Sequence, residues 1–183
     1  MIKKVNEKDE SLFNLSLVPQ ACEKAVFAYK KKFGDTSQSY KDVLTWLKSL
    51  NKKDYNNFLS WVLGAHKNID VIIKFLNEKA DVNIQDEDDG WTPLHYASIN
   101  GDEKIVSILI KNGAKINIQD DGWTPLHNAS INGDEKMVSI LIKKGAKINI
   151  QNKNGLTPLH YASKNGHEKM VSIMKNGVDF NNK

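Results

Sequence analysis

From Ile105 the apolar positions fall at helical spacing: Ile105, Val106, Ile108 and Leu109 share one face of a predicted helix, with polar residues between them. Asp102-Glu103 open that helix at its positive dipole end and Lys111 sits at its negative end. Gly113 follows as the left-handed residue that stops it. A shorter predicted helix precedes it, capped by Thr92, with Pro93 at the first position, where a missing N–H costs nothing, and ended by Gly101. The same punctuation recurs downstream with Thr124 as cap, Gly133 and Gly166 ending the shorter helices, Asp134-Glu135 opening the next longer one, and Gly145 and Gly177 in the stop position. Each unit therefore reads as turn, short helix, longer helix and turn.

The units are close copies. Gly90-Trp91-Thr92-Pro93-Leu94-His95 returns at Gly122 and, as Gly155-Leu156-Thr157-Pro158-Leu159-His160, at Gly155, in steps of 32 and 33 residues. Over the 30 aligned positions of 90–119 and 122–151, only Tyr96/Asn128, Ile105/Met137 and Asn112/Lys144 differ. This pattern resembles the ankyrin repeat, Gly-x-Thr-Pro-Leu-His-x-Ala followed by Gly, an apolar helix and Gly-Ala-x-x-Asn, nearly in full at 90–117 and 122–149. The third unit lacks one residue in its second helix, between Ser172 and Gly177, so a shortened or frayed last helix is expected. Upstream, Asn68 to Asn83 looks like the second half of another unit, with Lys79 in the stop-glycine position and no Thr-Pro-Leu-His before it. The resemblance implies an all-α ankyrin-repeat solenoid at 54–183 with an N-terminal helical extension at 1–53. Its units are a degenerate capping repeat at 54–88, repeats at 89–121 and 122–154, and a truncated C-terminal repeat at 155–183.

Residues 1–53 carry no repeat signature and predict two helices. The first starts near Pro19, buries Cys22, Ala25, Val26, Tyr29 and Phe33, and stops at Gly34; the second runs from Ser37 to Leu50 with Tyr40, Val43, Leu44, Leu47 and Leu50 on one face. Two such helices cannot bury their apolar faces alone, so they are expected to dock on the capping repeat, with self-association as the alternative.

Charge sharpens this picture. All 26 basic residues among the 183 are lysine, so the bidentate fork with which arginine reads guanine and grips phosphate is missing, which argues against sequence-specific nucleic-acid binding. Residues 1–57 hold 11 Lys against 7 acids and residues 58–183 hold 15 of each, which places the net charge of +4 in the N-terminal third. Lys30-Lys31-Lys32 with Lys52-Lys53 support an alternative reading, a nucleic-acid or membrane surface; the simpler one is that Lys30–Lys32 are cations in the C-terminal turn of a helix. No apolar run is long enough to span a membrane, the N-terminus has no secretory pattern, and the lone Cys22 fits a reducing compartment, so the expected location is cytoplasmic.

Candidate chemistry is sparse. His95, His127 and His160 stand in successive layers about 8–10 Å apart, too far for one metal that needs nitrogens at about 2.0–2.1 Å. The family resemblance implies instead that each hydrogen-bonds within its own turn. His66 and His167 lack partners in a recognisable motif, Cys22 reads as a small buried hydrophobe, and the glycines are helix stops rather than a phosphate loop. No catalytic residue, metal site or cofactor is expected.

The resemblance places partner contacts on hairpin tips and the inner face of the first helix of each repeat. These are Trp91, Tyr96, Ile99 and Asn100; Trp123, Asn128, Ile131 and Asn132; and Leu156, Tyr161, Lys164 and Asn165. Aromatic side chains give large contact area with few rotors to order, so Trp91 and Trp123 are expected to form an exposed ladder across adjacent repeats. The hairpins grade from Asp88-Asp89 through Asp120-Asp121 to Lys153, and the acidic end favours a protein partner with a basic segment. The implied function is a non-enzymatic protein-interaction module. Lysine, asparagine and isoleucine richness without arginine looks like an AT-rich genome, and the resemblance to small bacterial ankyrin proteins implies a host-directed effector of an intracellular bacterium.

Overall fold

The computed structural model describes residues 12–13, 38–39, 42, 45–46, 48–50, 52–65 and 69–178. Leu12–Phe13 (β1) pairs antiparallel with Gln38–Ser39 (β2). The helices that follow are α1 (Lys52–Ala65), α2 (Ile69–Asn77), α3 (Pro93–Ile99), α4 (Glu103–Lys111), α5 (Pro125–Asn132), α6 (Glu135–Lys143), α7 (Pro158–Lys164) and α8 (Glu168–Val178).

The helix expected from Ser37 to Leu50 is corrected at both ends. Gln38–Ser39 are strand residues, Asp42, Thr45 and Trp46 are helical, and Lys48–Leu50 already turn. The antiparallel pairing with Leu12–Phe13 takes Gln38–Ser39 out of helical conformation. The helix expected at 19–34, with Cys22 and Lys30–Lys32, lies outside the described residues. Trp46 and Leu50 pack against the repeat core.

α1 takes the place of a first repeat helix without the Thr-Pro-Leu-His signal. Phe58, Leu59, Val62 and Leu63 lie on one helical face and are wholly buried. Gly64 faces the start of α3 so closely that a Cβ there would overlap the Pro93 carbonyl oxygen, so the two helices meet backbone to backbone. α1, α3, α5 and α7 pack successively as one row, while α4, α6 and α8 form a second row behind them. Between the rows Leu94, Leu109, Leu126, Leu141, Met170 and Met174 are all buried. Each contributes about 1.5–3 kcal/mol relative to exposure.

Polar bonds set the spacing of the stack. Asn83 Nδ2 donates to Gly113 O (3.0 Å) while its Oδ1 accepts from Lys115 N (2.7 Å), and Asn117 repeats this with Gly145 O (2.9 Å) and Lys147 N (2.8 Å). Each asparagine thus closes the turn of the next repeat. The hairpin at Asp120–Trp123 is a tight reversal with Asp121 (φ 51) and Gly122 (φ 83) both left-handed. A Cβ on Gly122 would overlap the Asn152 backbone, so hairpins two and three are in direct main-chain contact.

The C-terminal expectation is also corrected. α8 spans 11 residues against 9 in α4 and α6, and Gly177 lies inside it rather than stopping it. The missing residue brings Gly177 one position nearer the helix start than Gly113 stands in α4, before the turn at which a left-handed stop would fall.

Candidate functional site

The histidines are built into the scaffold. Thr92 N–H donates to His95 Nδ1 at 3.1 Å, so Nδ1 is the acceptor and the proton resides on Nε2, which donates to Trp123 O at 3.2 Å in the next repeat. His127 repeats the arrangement with Thr124 N (3.1 Å) and Leu156 O (3.1 Å). The ring closes its own turn, as expected, and also bridges to the next hairpin. Burial, partly offset by the bond to Trp123, lowers the His95 pKa to about 4; burial likewise lowers that of His127. His160, the last of the row, keeps the bond to Thr157 N (3.0 Å) but is exposed. His167 Nε2 donates to Ile131 O at 3.2 Å, so it too serves the stack.

In front of this scaffold runs an open groove of about 1180 Å³, between the hairpins and the first-row helices. Its walls bring together Trp91, Ile99, Trp123, Asn128 and Ile131 with Asp88, Asp89, Asp120 and Asp121, nine of the residues expected to contact a partner. Asp81, Asp86 and Glu87 add to the acidic side, against a single lysine, Lys52. Tyr96, Asn100, Asn132, Leu156, Tyr161, Lys164 and Asn165 are not among its lining residues. Asn132 and Asn165 turn their amides back to Ile99 O and Ile131 O of the preceding repeat. Asn100 and Lys164 are exposed, and Leu156 is half-buried.

The tryptophans are not a uniform exposed ladder. Both are half-buried, and they face different neighbours. Trp91 lies 6.1 Å from the His95 ring and edge-on to Tyr96 of its own repeat at 5.2 Å. Trp123 packs on His127 (5.5 Å) and on Tyr161 of the following repeat (4.9 Å). The difference traces to residue 128, where asparagine replaces the tyrosine that Trp123 would otherwise meet in its own repeat. Asn128, expected on an exposed strip, is 1% exposed.

The hairpin acids are partly balanced within the chain. Glu87 pairs with Lys52 at 2.8 Å and accepts from Asn56 Nδ2 at 2.9 Å, and the hydrogen bond from Lys52 is the main reason its carboxyl lies below the usual range. Lys53 pairs with Asp88, and Lys153 with Asp121. Sequence reading missed these pairs, since Lys52 and Lys53 lie some 35 residues before their partners. Asp86 is 5% exposed and accepts from Tyr96 Oη (2.8 Å) and from Asp89 N (2.6 Å), which rigidifies the first hairpin. Burial, then Asp86, pushes the Tyr96 hydroxyl well above its ordinary range. Asp120 is pushed up by burial and then by Asp121.

The helical repeat stack thus lines one groove with aromatic, aliphatic and acidic side chains. The chain belongs to the ankyrin repeat family: the family profile described as ankyrin repeats matches in three copies, at residues 36–120, 59–152 and 119–183. Repeats of this family are generally protein-interaction modules. The chain is similar to the 2-5A-dependent ribonuclease of Homo sapiens, 41% identical over 49 residues, which are 27% of this chain and 7% of that protein. It is also similar to an ankyrin repeat-containing protein of Schizosaccharomyces pombe, 34% identical over 58 residues, which are 32% of this chain and 28% of that protein. The matches thus span only a small part of either relative. Among the described residues no helix is long and apolar enough to cross a membrane.

Proposed function

We propose that the chain is a non-enzymatic interaction module that binds a protein partner along the groove, using the hairpin tips and the concave helix face. The observation that carries this reading is the convergence of Trp91, Trp123, Ile99 and Ile131 with the acidic hairpins on one concave surface. The aromatic and aliphatic wall supplies contact area, and the acids favour a partner with a basic segment. Tyr96, Asn100, Asn132, Leu156, Tyr161, Lys164 and Asn165 flank this surface as its proposed margin.

The test is affinity capture with mass spectrometry, using the full chain, a Trp91→Ala, Trp123→Ala chain and an Asp89→Asn, Asp120→Asn chain, each first shown to be folded by circular dichroism. The groove variants lose the proteins that the wild type enriches; equal enrichment by all three chains contradicts the reading. Capture by 54–183 alone tests whether residues 1–53 are an extension that covers the end of the stack. The lysine-only basic composition supports the narrower reading of a host-directed effector of an intracellular bacterium, acting in the host cytoplasm. A translocation-reporter fusion that stays within the bacterium during infection rejects that narrower reading alone.

A further inference from the structure

The second repeat departs from its neighbours at the base of its hairpin. In the first repeat Tyr96 Oη donates to Asp86 at 2.8 Å, and in the third Asn152 Nδ2 donates to Tyr161 Oη at 2.9 Å, so each tyrosine closes the floor between helix and hairpin. Residue 128 is asparagine, and its Nδ2 donates to His95 O at 3.3 Å. Asp120, which stands where Asp86 and Asn152 stand, therefore meets no tyrosine. Among the described residues its carboxylate has no side-chain hydrogen-bond donor, and it rests against Gly90 of the preceding hairpin. Asn128 is 1% exposed and lines the groove, yet its Oδ1 has no hydrogen-bond partner among the described residues. A buried acceptor without a donor and a carboxylate with no direct ion pair among the described residues thus share one notch, with Trp91 and Trp123 in the same walls, and Lys153, paired with Asp121, reaches Asp120 only through its field.

We propose that this notch seats the cationic head of one lysine or arginine from an extended basic segment of the partner protein, an inference that rests on the groove reading above. Asp120 is the counter-charge, Asn128 Oδ1 the acceptor and the tryptophan rings the walls. The chemistry selects that occupant: ammonium and guanidinium groups carry donors only, the Asp120 carboxylate and Asn128 Oδ1 are acceptors, and indole faces attract cations. Burial and then Asp121 hold the Asp120 carboxyl above its usual range; Lys153 offsets part of this, and Asp86 and Asp89 add to the negative field. The chain's nearby lysines pair at the hairpin tips instead, Lys52 with Glu87, Lys53 with Asp88 and Lys153 with Asp121. Asn128 is thereby a specificity-determining residue, because a tyrosine there would fill the notch and offer its hydroxyl to Asp120.

The experiment is fluorescence anisotropy of the full chain with a labelled peptide of alternating lysine and glycine, compared with the same peptide acetylated on every lysine. The free-lysine peptide binds and acetylation weakens it about tenfold or more. Asn128→Tyr and Asp120→Asn each weaken the free-lysine peptide about tenfold with an unchanged melting transition. Asp120→Asn changes no volume, so it keeps the test valid if the tyrosine variant is poorly folded. Absence of binding, or equal binding of the acetylated peptide, overturns the proposal. If both notch variants bind like the wild type while Trp91→Ala, Trp123→Ala does not, the notch is wrong and the groove reading stands. If no groove variant alters binding, both fall.

Discussion

His95 joins three parts of the molecule through one ring, accepting from Thr92 and donating to Trp123 O across the repeat boundary. Protonation of Nδ1 would remove the acceptor and place a charge in a wholly buried site. The folded pKa of about 4 lies below the unfolded value of about 6.5, so the unfolded chain binds the extra proton first. Stability from this group is complete above pH 6.5, falls as pH drops, and is lost by about pH 4, a change of about 3 kcal/mol. Denaturant titrations from pH 7 to pH 4 are expected to show that slope, and His95→Gln to flatten it; an unchanged slope in the variant contradicts the assignment. Lys79 gives a second residue-scale prediction. It adopts φ 64 in the position glycine holds in the later repeats, so Lys79→Gly is expected to raise stability by about 0.5–1 kcal/mol, the left-handed strain outweighing glycine's added chain entropy. A fall in the denaturation midpoint would contradict this.

At the scale of elements, the second and third hairpins behave as one unit, since Lys153 N donates to Asp121 O at 2.9 Å and Gly122 lies against Asn152. Gly122→Ala combines left-handed strain with main-chain overlap, whereas Gly145→Ala, also left-handed at φ 95, meets open space. The first is expected to cost at least about 2 kcal/mol more than the second, whose strain is about 1–2 kcal/mol. Equal losses by denaturant unfolding would show that the hairpins do not abut. The helices and their caps were legible because Thr-Pro pairs, glycines and apolar spacing are local signals. Tryptophan packing was not. Trp91 and Trp123 sit in almost identical sequence, yet their partners are set by Tyr96 in one repeat and by Tyr161 of the next in the other. The pairs of Lys52 and Lys53 with the first hairpin are equally non-local, so the acidic gradient read from sequence overstated the bare charge of that tip.

Across the whole molecule, stability should grade along the stack, because each repeat contacts only its neighbours. α3 to α6 are covered on both sides, while α7 and α8 close the described end with His160 and Ser163 exposed. Amide exchange is expected to be slowest in 93–143 and fastest in 158–178; greatest protection at the C-terminal end would contradict the account. The repeat fold followed from the internal repeats, and Asn117 and His127 show why it holds together, each bonding across to the next repeat motif. The groove was legible only in part, since its aromatic and acidic members were readable residue by residue but their convergence, and the burial of Asn128, depend on how the units stack. We propose that a protein partner docks on this concave surface. Hydrogen exchange of the full chain, measured free and saturated with the partner captured most strongly, tests it directly. Protection on binding is expected to concentrate in 85–91, 119–123 and the C-terminal ends of α3 and α5. Protection confined to α4, α6 and α8, or to residues before 52, would contradict it.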